Sequence, residues 1–139
     1  TDALQNEGAR LNKYEWSPTD MWERDNDWVL MRYAEVLMMQ SEASFRLGYT
    51  QTALDYINQV RKRAALEPLT TLSLEALDNE WKHEFVFEGL RRTTNIRFGT
   101  FFKAWWNKEA DPADMHTRFF PIPKEELDKN PNLVQNTGY

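Results

Sequence analysis

The sequence predicts an all-α chain: helical hairpins packed in a tetratricopeptide-like manner, with long irregular loops and an irregular C-terminal tail. Three observations carry that reading. Apolar residues recur at helical spacing in three separate stretches, around Tyr33–Phe45, Ala53–Ala64 and Leu74–Phe85. Glycines stand where such helices need a left-handed stop, at Gly48, Gly89 and Gly99. The first two stretches, joined by a tight glycine turn, have about the length of a tetratricopeptide unit.

The elements follow in order. Residues 1–27 are polar, carry Tyr14, Trp16 and Trp22, are broken at Ser17-Pro18, and show no helical period. They read as a loop-rich lead-in with one short extended segment around Leu11 to Trp16. From about Met31 to Leu47 the stripe Tyr33, Ala34, Leu37, Met38, Ser41 and Phe45 predicts an amphipathic helix, with Glu35, Glu42 and Arg46 directed elsewhere. Thr50 is placed as the cap of the next helix, whose buried side is Ala53, Ile57, Val60 and Ala64. Pro68 stops it. Ser41, Ala43, Ala53 and Ala64 are small enough to let the two helices approach closely.

The third helix is expected over Leu74 to Glu88, packed on this pair. Leu74, Leu77, Trp81, Phe85 and Glu88 share one stripe, Ser73 is a good N-cap, and Leu72 can staple onto Leu77. Glu80, Glu84 and Glu88 recur every four residues just ahead of Arg91, Arg92 and Arg97. That arrangement predicts ion pairs between these glutamates and these arginines. After Gly99, FFKAWW places Phe101, Phe102 and Trp105 on one helical face, closing the core, with Trp106 pointing away. Ten aromatics lie between Trp81 and Phe120. Asp111-Pro112 starts a turn, FPIP is extended, and Lys124 to Leu127 forms one helical turn after Pro123. The Asn- and Pro-rich end is expected to lie against the helices through Leu133 and Tyr139.

With 139 residues the chain is read as one domain: lead-in 1–27, helical body 28–108 and irregular tail 109–139. A net charge of -5 argues against nucleic acid as a partner, since phosphate neutralisation needs a basic face. The absence of cysteine excludes disulfides, thiolate catalysis and cysteine-based zinc sites. No apolar run approaches the roughly 20 residues of a membrane-spanning helix.

Catalytic chemistry finds little support. Acid–base work on a glycoside needs carboxylates facing each other across a cleft, whereas Glu80, Glu84 and Glu88 stack along one helix face. His83 and His116 are the only histidines and have no metal-ligand spacing, so neither metal nor cofactor is expected. No phosphate loop or nucleophile elbow is present. The chain is read as a non-enzyme. Aromatic side chains are the better functional candidates, because the C–H faces of sugar rings stack on indoles. Trp105 and Trp106 form the leading pair, Trp16 and Trp22 a second. Arg91, with Arg92 and Arg97, is suited to a sugar acid or phosphate, or else to ion pairing within the fold.

Three blocks give the chain a family likeness. They are LMRYAEVLMMQSEA at Leu30–Ala43, the E-F-x-F-E-G-x-R core at Glu84–Arg91 with I-R-F-G ending at Gly99, and FPIPKEEL at Phe120–Leu127 followed by NPNLVQNTGY. In order and spacing they resemble the C-terminal region of the SusD/RagB family, the starch-utilisation D-type outer-membrane lipoproteins. The family commonly has aspartate where this chain has Asn95, and aromatics where it has Arg92 and Thr93, a departure that speaks against pairing Asn95 with Arg97. The resemblance implies a surface-exposed outer-membrane lipoprotein that binds glycan without cleaving it. It implies a partnership in nutrient uptake with a TonB-dependent, SusC-like transporter, and contact with the membrane only through a lipid anchor absent from these residues. The chain is then the C-terminal portion of a longer lipoprotein. The alternative is a helical scaffold acting only in protein–protein contact with the transporter.

Overall fold

The computed structural model describes residues 13–14 and 26–139, and every regular element among them is helical. In order these are α1 (Tyr33–Arg46), α2 (Thr50–Arg63), α3 (Leu74–Glu84), α4 (Arg91–Phe98), a single 3-10 turn (His116–Arg118) and α5 (Lys124–Lys129). The all-α expectation holds. Most of the lead-in lies outside the described residues.

The α1–α2 hairpin forms as the small residues foretell. Gly48 turns the chain at φ +87°, and the Ser41 hydroxyl donates to the Ala53 carbonyl across the interface at 2.7 Å. Such a bond needs the two backbones in close approach, which only small side chains permit. Ala34, Leu37 and Met38 of α1 meet Ile57 and Val60 of α2, and Leu77, Trp81 and Phe85 complete the same core. The third helix therefore packs on the pair as expected, with Leu72 set against the cluster. Ser73 caps α3 by accepting the Ala76 N–H at 3.1 Å.

Several details differ from the sequence pattern. Thr50 is the first residue of α2, with Tyr49 in the cap position. Ala64 is the exposed C-cap of α2, and Leu54 takes the buried place instead. Glu42 is buried, because Arg46 and Arg97 both donate to its carboxylate at 2.9 Å.

The end of α3 comes a turn early, at Glu84. In a continuing helix the Glu88 N–H would bond the Glu84 carbonyl. That carbonyl is taken by Arg32 Nη2 at 2.8 Å and by Lys13 Nζ at 2.7 Å, and the Glu88 N–H goes to Phe85 at 3.1 Å. The chain then turns through Phe87, at φ +66°, before reaching Gly89.

The ion pairs also have other partners than expected. Glu80 binds Arg61, Glu84 binds Arg32 and Arg63, and Glu88 binds Arg32 and Lys13. The α4 arginines look elsewhere: Arg91 to Asp78, Arg97 to Glu42, and Arg92 to the Thr117 and Arg118 carbonyls. Asn95 is buried and accepts from the Thr100 hydroxyl at 3.2 Å, while Arg97 turns to Glu42.

FFKAWW is not helical. α4 stops at Gly99 (φ +70°), and Trp105 and Lys108 exchange both backbone hydrogen bonds around a two-residue turn with Asn107 left-handed. The tail is held by polar contacts to residues 116–122 rather than by Leu133 on the helices. Gln135 bonds both the N–H and the carbonyl of Ile122, at 2.8 and 2.9 Å. Asn136 donates to the Phe120 carbonyl, and the Tyr139 hydroxyl donates to that of Phe119.

Candidate functional site

A groove of about 410 Å³ opens where α3, the start of α4 and the 100–105 loop meet. Asp78, Asn79, Lys82, Arg91, Thr100, Lys103, Ala104 and Trp105 line it. Its size falls within the roughly 300–1,000 Å³ usual for small-molecule sites. Two of the sequence-selected residues, Trp105 and Arg91, come together here.

Both are held in place before any ligand arrives. The Asp78 carboxylate receives Arg91 bidentately, Nη1 to Oδ1 at 2.5 Å and Nη2 to Oδ2 at 3.0 Å. That fork fixes the guanidinium plane while leaving further N–H donors. The Trp105 indole N–H donates to the Thr100 carbonyl at 3.0 Å, and the side chain remains 46% exposed. Thr100 is itself fixed, its own N–H donating to the Asn95 carbonyl at the end of α4. A ring so oriented offers a rigid apolar surface at little further entropic cost.

Trp106 lies elsewhere. At the tip of the Trp105–Lys108 turn it is 76% exposed and does not line the groove. Consecutive residues at the head of such a turn diverge, so the two indoles serve separate surfaces. Trp16 and Trp22 lie outside the described residues.

A larger hollow of about 500 Å³ is lined by Met39, Glu42, Ala43, Arg46 and Arg97. Among the described residues its lining has no aromatic side chain, and its carboxylate is already shared by two arginines. A third aromatic surface escaped the sequence reading: Trp28 stacks on Tyr14 with centroids 5.8 Å apart and planes within 14°. The signal available was a tryptophan just ahead of an amphipathic helix, which periodicity alone does not single out.

No group of three metal-ligating side chains occurs among the described residues, and none of their helices is long and apolar enough to cross a membrane. Burial works to raise the Glu88 carboxyl pKa, but hydrogen bonds from Arg32 and Lys13 outweigh it and hold the group below its usual range. The carboxyls of Asp111 and Asp114 are likewise held low, chiefly by Lys108 and His116 respectively. All three are ion-pairing groups lying outside the groove.

The fold and groove define a tetratricopeptide-like helical protein with a preorganised aromatic and cationic cleft. The chain belongs to the SusD family, whose sequence model matches residues 4–118. It is 35% identical over 123 residues to the starch-binding protein SusD of Bacteroides thetaiotaomicron, covering 83% of this chain and 22% of that protein. It is 30% identical over 131 residues to the SusD-like protein P25 of Formosa agariphila, covering 80% and 24%. Among solved structures it resembles surface glycan-binding protein A from Bacteroides uniformis, with a TM-score of 0.64, 30% identity, and 80% and 28% of the two chains covered. The chain thus spans about a quarter of the length of these relatives.

Proposed function

We propose that this chain is the C-terminal portion of a longer surface lipoprotein of the outer membrane, folded as one domain. It binds oligo- or polysaccharide without cleaving it and serves a TonB-dependent, SusC-like transporter in nutrient uptake. The observation that carries the reading is the groove in which Trp105, aligned by Thr100, faces the same space as Arg91, clamped by Asp78. An indole face takes the C–H side of a sugar ring while the guanidinium and Asn79 meet its hydroxyls. Membership of a family whose relatives include a starch-binding protein supports it.

The test is electrophoresis in native gels cast with a panel of soluble polysaccharides. Retardation on at least one glycan, lost in Trp105→Ala with the far-UV circular dichroism unchanged, is the expected result. Undiminished retardation of Trp105→Ala would remove this groove from the reading. The second reading, a scaffold for protein contact with the transporter alone, draws on exposed Trp106 and Phe120. It predicts capture by the transporter that survives Trp105→Ala and weakens in Trp106→Ala.

A further inference from the structure

The charge lining the groove is not what a neutral sugar requires. Asp78 is the one carboxylate among the described residues that line it, and Arg91 occupies both of its oxygens. That pair is neutral as a unit. Lys82, from the last turn of α3, and Lys103, from the loop after α4, also line the groove. Neither ammonium has an ion pair among the described residues. Among the described residues the groove therefore carries two positive charges with no carboxylate partner, on a chain whose net charge is -5. More than half of the lysines and arginines among the described residues are spent: Lys13, Arg32, Arg46, Arg61, Arg63, Arg91, Arg97, Lys108 and Lys129 all hold carboxylates. Lys82 and Lys103 belong to the minority that hold none, and they are the two that line the groove beside the aligned indole.

Resting on the glycan reading above, we propose that the groove selects an acidic glycan. A ring stacks on Trp105 while its anionic substituent, a carboxylate or a sulfate ester, sits between Lys82 and Lys103. The lysines supply the discrimination, because an anionic substituent gains an ion pair from each ammonium, whereas a neutral hydroxyl only replaces a water at the same donor. An anion held by two mobile ammoniums at an open groove is sensitive to salt, whereas stacking is not.

The experiment measures affinity of the full protein by titration calorimetry at two salt concentrations. The probes are an oligogalacturonide, its fully methyl-esterified form, and a sulfated galactan oligomer. The expected result is tighter binding of an anionic probe than of the ester, with the difference shrinking at high salt. Replacing both lysines (Lys82→Gln with Lys103→Gln) lowers affinity for the anionic probe on the order of tenfold and leaves the ester unchanged. Preference for the uronide over the sulfated oligomer assigns the carboxylate, and the reverse assigns the sulfate. If Trp105→Ala abolishes binding but the lysine double variant keeps the anion-to-ester ratio, the acidic specificity is overturned and the glycan site stands. If Trp105→Ala changes nothing on any probe, the site falls and this inference with it.

Discussion

Replacing Arg32 with methionine should destabilise the protein by an amount that depends on pH. Arg32 reaches the carboxylates of Glu84, the last residue of α3, and of Glu88 just beyond it, bonds the Glu84 carbonyl, and lies 4.5 Å from the centroid of Phe85. The side chains of Glu84 and Glu88 are only 7% and 4% exposed. Removing one partner of a fully buried pair costs about 3–5 kcal/mol. Here Lys13 still holds Glu88 and Arg63 still holds Glu84, and methionine keeps the contact with Phe85, which brings the figure to about 2–3 kcal/mol. For a chain of this size each kcal/mol lowers Tm by roughly 3–4 °C, so the expected loss is about 6–12 °C at pH 7. The pH dependence follows from Glu88, whose folded pKa is depressed. Its stabilisation is present above the unfolded carboxyl value of about 4.3 and is lost as pH falls through the lower folded value. The stability gap between wild type and Arg32→Met should therefore narrow from pH 7 to pH 3, measured by urea unfolding followed by circular dichroism. A loss under about 0.5 kcal/mol at pH 7, within the range of ordinary surface substitutions, would refute the reasoning. So would a gap of equal size at both pH values.

Other substitutions test separate parts of the fold. Ser73→Ala removes the cap of α3 and should cost about 1 kcal/mol in urea unfolding. Leu77→Ala opens the shared core of three helices and should cost about 2–5 kcal/mol, seen as a proportionate fall in the urea midpoint. Gln135→Ala should leave the helical core intact while releasing the Ile122 amide to rapid hydrogen exchange and the tail to proteolysis. Protection of Ile122 unchanged in that variant would show that the tail is held by other means.

The sequence made the helices legible where burial and period coincide. The stripe of α1, the close α1–α2 approach through Ser41 and Ala53, and the capped start of α3 were all readable from local spacing. What escaped it acts over long separations. Arg32 precedes the periodic region by a single residue, yet its contacts lie more than fifty residues away and decide where α3 ends. The glutamate ladder was visible, but not which arginines would meet it, since that depends on the path of α2 and the lead-in. FFKAWW had helical spacing, and a turn between Trp105 and Lys108 overrode it. Trp105 and Arg91 were each readable as candidates, but their shared groove was not, nor were Lys82 and Lys103, which carry no local signal. In the tail the run Q-N-x-G-Y could be matched to a family but not explained. Its polar side chains prove to be the anchors of a distant extended segment.

That anchoring bears on solubility. Residues 119–123 form an extended stretch with Phe119 and Phe120 turned largely to solvent, the type of apolar edge onto which another chain can add a strand. Pro121 and Pro123 remove two of its donors outright. The remaining donor flanked by them, the Ile122 N–H, is occupied by Gln135, and the carbonyls of Phe119, Phe120 and Ile122 are occupied by Tyr139, Asn136 and Gln135. An intruding strand would find these positions already filled by side chains of the same molecule. The tail thus fills most of the positions a strand would pair with, guarding against edge-to-edge aggregation while two phenylalanines stay exposed.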